Sequence, residues 1–305
     1  MKKATIGLII CLILNGIAYS QEGEQATPTP EQYRAMIAQS IADLNVPAEA
    51  VAEIKDTIIS DSIHLRIYYP FTKGPLPILY QMHGGCWVAG DLETHDNICK
   101  YLCKQAGCIV IAIDYRQPPE NRYPAAVNDC YTALQWIYLN AEAIGGDKCR
   151  IGVIGDSSGG NLASAVCLKN REEGNTVPLL IQVLINPVLD LRENSSSFST
   201  YMGCVFAYLN DMQESTEIYA SPLAAESFND LPRALIITSE NDESIDEAKQ
   251  YHSRLLKDGI ESSLFEIKGI GHFAGMWAAG SDEVQEAKAL VAQQLKEIFF
   301  AVQPG

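Results

Sequence analysis

The sequence predicts an α/β fold in which helices flank a mostly parallel sheet. Apolar runs of strand length recur along the chain, stretches with helical periodicity separate them, and polar loops follow them. Loops at the carboxyl ends of parallel strands are where such sheets place their chemistry. This alternation is typical of a sheet covered on both faces. The runs are residues 77–82, 150–154, 234–238 and 263–267.

The first twenty residues have the pattern of a secretory signal. Met1-Lys2-Lys3 is basic, residues 6–17 are apolar, and Ala18-Tyr19-Ser20 is a small-residue cleavage pattern. The apolar stretch is shorter than the ~20 residues that span a bilayer. We therefore expect residues 1–20 to be removed near Ser20, giving a secreted or periplasmic protein whose mature chain has no membrane span. An uncleaved N-terminal anchor is the alternative.

Residues 21–50 are predicted to form a polar linker followed by a helix from Glu31 to about Leu44. Residues 51–305 then form one catalytic domain, which an irregular stretch interrupts near residues 192–219. The last helix is expected from about Glu283 to Phe300. No internal repeat divides the domain.

Charge and cysteine usage narrow the function further. The formal net charge of −16 repels nucleic acid and anionic lipid surfaces. We find no cofactor motif and no metal-ligand spacing, and we interpret Cys99, Cys103 and Cys108 as packed thiols. Eight cysteines remain after removal of the signal, and we expect at most one or two disulfides among them.

A serine stands in the strongest motif of the chain. Gly155-Asp156-Ser157-Ser158-Gly159 lies directly between an apolar run and a helical stretch. This arrangement predicts a tight strand-to-helix turn that exposes the Ser157 hydroxyl above the end of a parallel sheet. Glycines are required on both sides because a Cβ would collide with neighbouring backbone. Ser157 is therefore the predicted nucleophile.

The base should follow the serine in the chain, since hydrolases with such a turn carry their triad in the order Ser, acid, His. Two histidines lie beyond Ser157. His252 falls within a helical pattern and is interpreted as a helix-surface or packing residue. His272 follows an apparent strand within a glycine-containing loop. We therefore predict His272 as the base.

The acid should lie between them, after the run 234–238. Glu240 and Glu243 can be solvated there, and Asp246 and Glu247 can be first-turn acids favoured by the helix dipole. Asp242 is preferred on its spacing after the strand.

The negative charge of a tetrahedral intermediate needs hydrogen-bond donors. His83-Gly84-Gly85 follows the run 77–82, and consecutive glycines allow backbone N–H groups to point into a cavity. We predict Gly84, Gly85 and Ser158 as oxyanion-hole donors. An ordinary turn after a strand is the alternative, but it does not explain why the turn accompanies the serine motif in this order.

With these motifs the chain resembles the hormone-sensitive-lipase-like branch of the α/β-hydrolases. The resemblance runs from about Val51 to about Ile298. In addition to the segments above, it includes Gly90-Asp91, Thr94-His95-Asp96, Asp114-Tyr115-Arg116, Tyr123-Pro124-Ala125-Ala126 and Ser221-Pro222-Leu223. It implies the α/β-hydrolase fold and a carboxylic-ester hydrolase with Ser157, Asp242 and His272 as its triad.

The resemblance also implies a small helical cap, formed by the N-terminal helix and the stretch near 192–219. Cys86 stands where the family usually has a third glycine, so a thiol must fit beside the cavity. We expect a small-molecule ester with a short or medium acyl group as substrate, and no cofactor. An amidase, a polysaccharide deacetylase and a non-catalytic small-molecule receptor are the alternatives on this fold.

Overall fold

A computed structural model describes residues 29–43, 46–60, 62–272 and 281–301, so the predicted signal segment lies outside the described residues. Eight strands form one sheet in the order β1-β2-β4-β3-β5-β6-β7-β8. They are β1 Glu53–Ile59, β2 Ile63–Tyr69, β3 Leu76–Met82, β4 Ile109–Asp114, β5 Gly146–Asp156, β6 Leu179–Ile185, β7 Arg233–Ser239 and β8 Ser262–Ile267.

Seven α-helices lie between or beside these strands in the described residues. They are α1 Pro30–Ala42, α2 Asp96–Leu102, α3 Ala125–Asn140, α4 Ser158–Glu172, α5 Phe198–Tyr208, α6 Ile245–Lys257 and α7 Asp282–Phe300. Among them, none combines the length and the apolar character that a bilayer crossing requires.

The predicted fold class is confirmed. Strand β2 pairs antiparallel with β1 and β4, and the other pairings are parallel. The four apolar runs of the sequence are the strands β3, β5, β7 and β8. Because these strands are parallel, their carboxyl ends meet at one edge, where the loops after Met82, Asp156 and Ser239 come together.

The two faces of the sheet hold two apolar clusters. Successive strand side chains point to opposite faces, so Ile78 and Tyr80 enter one cluster while Leu79 enters the other. Helices α3, α4 and α6 cover the first face, and α2 and α7 cover the second. Strand β3 is buried along its whole length. The central strands are therefore held rigidly where they end at the site.

The stretch near residues 192–219 is more regular than predicted. It contains helix α5 and a 3-10 turn, Met212–Thr216. The prediction of an irregular segment was wrong there, because its aromatic and aliphatic residues do have helical spacing. Tyr201, Cys204, Val205 and Tyr208 form the buried face of α5.

Candidate active site

Ser157 occupies the turn between β5 and α4. Its backbone has φ 55° and ψ −118°, in a sparsely populated region for a residue with a side chain. The turn is held because the Ser157 N–H donates to the Ile185 carbonyl at 2.8 Å. The side chain is almost completely enclosed, with 5 % of the residue exposed. Such strain persists only where the surroundings determine the conformation, as they do here.

The glycines around Ser157 are required by close backbone contacts. A Cβ on Gly155 would lie 2.1 Å from the Gly159 carbonyl oxygen. A Cβ on Gly159 would lie 2.2 Å from the Met82 carbonyl oxygen. Helix α4 can therefore begin against the end of β3 only because both positions lack side chains.

The structure brings the three predicted triad side chains together. The Nε2 atom of His272 lies 3.0 Å from the Ser157 Oγ. The Nδ1 atom of the same ring lies 2.9 Å from Asp242 Oδ2. One imidazole therefore bridges the hydroxyl and the carboxylate, which is the geometry that a serine nucleophile, its base and an orienting acid require.

Asp242 is held by donors besides His272. The N–H and hydroxyl of Ser244 both donate to Oδ1 at 3.0 Å, and Asn186 Nδ2 donates to Oδ2. The residue is 2 % exposed. Its two oxygens therefore face hydrogen bonds on several sides, which fixes the carboxylate plane toward the imidazole.

Asp242 and His272 each shift the pKa of the other. Burial alone would raise the pKa of Asp242, but the His272 ring, its hydrogen bond and the Ser244 and Asn186 donors lower it below its ordinary value. Burial alone would lower the pKa of His272, but the Asp242 carboxylate and its hydrogen bond raise it. The site therefore favours an anionic acid beside a histidine of increased basicity.

A tyrosine of helix α5 also contacts the histidine. The Tyr201 hydroxyl lies 3.0 Å from His272 Nδ1, and the two ring centroids are 5.6 Å apart. Tyr201 is 2 % exposed. The sequence does not predict this contact, because nothing in the composition of the stretch indicates which of its tyrosines faces the site.

Asp156 connects the serine turn to the glycine loop. Its Oδ1 accepts the Gly84 N–H at 3.2 Å and lies 3.1 Å from His95 Nε2. The Thr94 hydroxyl lies 3.1 Å from the other nitrogen of that ring. A buried chain of polar groups therefore ties the loop after β3 to the turn that carries Ser157.

Gly84 was predicted as an oxyanion-hole donor. In the structure its N–H donates to the Asp156 carboxylate, so this hydrogen bond stabilises the loop. The Gly85 and Cys86 N–H groups, in contrast, have no hydrogen-bond partner among the described residues. Gly85 has φ 129°, and Cys86 has φ 57°. The left-handed backbone at both positions turns this part of the loop.

His83 stabilises the same loop through contacts with Gly84 and Tyr115. Its Nδ1 lies 3.0 Å from the Gly84 carbonyl oxygen, and its ring stacks on Tyr115 with centroids 4.1 Å apart. Burial lowers its pKa to about 4, so the ring is neutral at ordinary pH. His83 therefore orders the loop.

The alternatives to the predicted residues lie away from the triad. His252 lies on α6, with its Nδ1 2.8 Å from the Ser262 hydroxyl. Glu240 accepts the Gly269 N–H at 2.8 Å, while Glu243 and Asp246 are exposed. Among the described residues, no group of three His, Cys, Asp or Glu side chains is arranged to hold a metal ion.

Glu247 lies in the first turn of α6, as interpreted from the sequence, and it is also buried. It is 1 % exposed and accepts the Leu189 and Asp190 N–H groups at 2.7 and 3.1 Å. The Ser197 hydroxyl, at the start of α5, donates to its other oxygen. Burial raises its pKa to about 7. This carboxyl group therefore ties α6 to the loop after β6 and to α5.

Comparison with known proteins agrees with this geometry. A family profile described as the alpha/beta hydrolase fold matches residues 79–275. The chain is 32 % identical to an arylesterase of Saccharolobus solfataricus over 269 residues, covering 83 % of this chain and 86 % of that protein. It is 33 % identical to a carboxylic ester hydrolase of Mycobacterium tuberculosis over 287 residues, covering 86 % of this chain and 72 % of that protein.

Solved structures give the same result. A thermophilic carboxylesterase cloned from a metagenomic library superposes with a TM-score of 0.86 at 31 % identity, covering 92 % of this chain and all of that one. The fold and the matched region together define an α/β-hydrolase. The chain belongs to the hormone-sensitive-lipase-like family of these hydrolases.

Proposed function

We propose that this chain is a serine carboxylesterase that hydrolyses esters through an acyl-enzyme intermediate. One observation carries the proposal: His272 lies within hydrogen-bond distance of both Ser157 Oγ and Asp242 Oδ2. The names of its relatives, an arylesterase and a carboxylic ester hydrolase, support ester hydrolysis as the reaction.

In the first step, Ser157 Oγ attacks the ester carbonyl while His272 Nε2 accepts the hydroxyl proton. Asp242 keeps the Nδ1 proton directed toward itself and stabilises the imidazolium that forms. His272 then donates its proton to the departing alkoxide, which leaves as the alcohol. Water repeats the sequence on the acyl-serine and releases the carboxylic acid.

We assign the oxyanion hole to the N–H groups of Gly85, Cys86 and Ser158. Cys86 replaces the predicted donor Gly84 in this assignment, because the Gly84 N–H donates to Asp156. Ser158 is the first residue of α4, so its N–H has no partner within the helix. Each donor of this kind contributes about 10²–10³ in rate.

Short or medium acyl groups are the preferred substrates in this proposal. Helix α5 places Tyr201 on the catalytic histidine and stacks Tyr208 on Trp87, with centroids 4.6 Å apart. Cys86 adds a thiol where the family usually has glycine. We infer from these contacts that the room for an acyl group beside Ser157 is limited. Hydrolysis of p-nitrophenyl esters from acetate to palmitate should be fastest between two and about eight acyl carbons.

Export is a separate part of the proposal, based on the first twenty residues alone. The protein recovered from its native cells should begin near Gln21, which intact-mass measurement can determine. A chain that retains Met1-Lys2-Lys3 would contradict export with cleavage.

Covalent labelling tests the enzymatic role. A p-nitrophenyl alkylphosphonate should inactivate the enzyme at one equivalent and release one equivalent of p-nitrophenol. Peptide mapping should place the phosphonate on Ser157. A protein that releases no burst and carries no adduct would instead be a receptor on this fold.

A further inference from the structure

One face of helix α5 lies against the active site. Tyr201, Cys204 and Tyr208 share this face, since they are three and then four residues apart. Tyr201 contacts His272 at one end, and Tyr208 stacks on Trp87 at the other. Cys204 lies between these two contacts and is fully buried. The helix therefore directs a cysteine at the loop that precedes Trp87.

Cys86 is the residue of that loop that meets Cys204. The two thiols form a hydrogen bond, and the Tyr33 hydroxyl of helix α1 lies beside the Cys86 sulfur. Cys86 is 6 % exposed. Two cysteines that are distant in the sequence therefore lie in side-chain contact, one in the glycine loop and the other on α5.

The chemical state of Cys86 differs from that of the other buried cysteines. The hydrogen bond from Cys204 lowers the pKa of Cys86, against the effect of burial, and nearby His272 lowers it further. Burial raises the pKa of Cys103 to about 12 and raises those of Cys99 and Cys130 as well. Because the thiolate is the reactive form, the lowered pKa favours reaction at Cys86 over reaction at these three thiols.

We propose that Cys86 and Cys204 are a reversible oxidation site that controls the active site. The oxidant is a small peroxide. The Cys86 thiolate attacks one peroxide oxygen and the O–O bond breaks, which gives a sulfenic acid and hydroxide. The Cys204 thiol then attacks that sulfur, forms the S–S bond and releases water. In total, two thiols and one hydrogen peroxide give one disulfide and two waters, and a dithiol reductant reverses the change.

Disulfide formation should reduce catalysis, a consequence that rests on the proposed function. The two sulfurs must move from hydrogen-bond contact to about 2.05 Å. This movement pulls the Cys86 backbone toward α5. Oxyanion donors act only when they lie about 2.7–3.1 Å from the developing charge. Oxidation therefore displaces the Cys86 N–H and draws Tyr201 away from its contact with His272.

The experiment uses the full-length reduced enzyme and hydrogen peroxide. After treatment, catalase removes the peroxide, iodoacetamide blocks free thiols, and p-nitrophenyl acetate hydrolysis and non-reduced peptide masses are measured on the same sample. We expect a disulfide-linked pair of peptides containing Cys86 and Cys204, together with at least a tenfold loss of kcat/KM. Dithiothreitol should restore the activity and separate the peptides.

Two variants complete the test. Cys204→Ala should hydrolyse the ester before treatment and resist peroxide, whereas Cys149→Ala, which removes an exposed thiol, should lose activity as the unaltered enzyme does. The mapping in the unaltered chain decides the outcome even if Cys204→Ala fails to fold. Three results would contradict the proposal. They are absence of the Cys86–Cys204 link, a link that leaves kcat/KM unchanged, and a loss of kcat/KM that dithiothreitol does not reverse. Because the link is detected by mass, it remains informative if the ester-hydrolase assignment fails.

Discussion

The hydroxyl of Tyr201 and the carboxylate of Asp242 both contact Nδ1 of His272, at 3.0 and 2.9 Å. In the proposed mechanism this nitrogen carries one proton and directs it to the carboxylate. The Tyr201 oxygen is then a second acceptor for the same N–H. We therefore expect Tyr201 to act as a positioning residue that restricts rotation of the imidazole.

We expect Tyr201→Phe to lower kcat by about twofold to tenfold, since a neutral hydrogen bond contributes ~0.5–1.5 kcal/mol. KM should change little, because the hydroxyl acts on the histidine. Steady-state kinetics with p-nitrophenyl butyrate measures both constants. Tyr138→Phe, on helix α3 away from the site, is the control. An equal loss in both variants would show that Tyr201 has no specific role.

Asp242→Asn should reduce kcat by roughly 10⁴-fold, because an amide favours the wrong histidine tautomer. The N–H₂ group of the new amide would also face hydrogen-bond donors, where the wild-type carboxylate oxygen accepts from them. Asp246→Asn is the matched control, since Asp246 lies nearby at the start of α6 and is exposed. It should keep at least half of the activity. A large loss of kcat in Asp246→Asn with little loss in Asp242→Asn would show that the acid is misassigned.

The pH dependence of kcat/KM should report His272. The protonated ring cannot accept the serine proton, so activity falls as the pH decreases through the pKa of the free enzyme. Since Asp242 raises that pKa, the acid limb should lie above the ordinary value of about 6.5. His252→Gln should leave the limb in place. A limb well below pH 6 would contradict a carboxylate-paired histidine.

Gly159→Ala tests whether the close backbone contact between the serine turn and the end of β3 is required for activity. The added Cβ would meet the Met82 and His83 carbonyl oxygens, so the start of α4 must shift. We expect a loss of about 1–3 kcal/mol in the free energy of unfolding and a marked loss of kcat. Gly145→Ala, where a Cβ meets open space, should cost about 1 kcal/mol and spare kcat. Urea denaturation measures the free energy of unfolding of the two variants, and steady-state kinetics measures their kcat.

The sequence predicted the parts of this molecule that depend on local pattern. The apolar runs at 77–82 and 234–238 are strands because continuous apolar segments of that length fit the interior of a parallel sheet. The sequence could also indicate Ser157 and His272 as candidates, because each lies after a strand at the carboxyl edge of the sheet. Asn186 also follows a strand, β6, so the same rule could have identified this donor to Asp242.

Other features depend on contacts between distant segments. Nothing local indicates that Tyr201 reaches His272 or that Cys204 meets Cys86, since both contacts follow from how α5 packs on the loop after β3. The hydrogen bond of the Gly84 N–H could not be predicted either, because the sequence does not show that the Asp156 carboxylate accepts from it. The glycines predict the loop, but they do not show which of its backbone N–H groups lacks a partner.

Replacement of the nucleophile tests the central claim most directly. Ser157→Ala should lower kcat for p-nitrophenyl butyrate by roughly 10⁶-fold, with a folded protein by circular dichroism and no reaction with the phosphonate. Turnover within about tenfold of the unaltered enzyme would show that another group performs the chemistry.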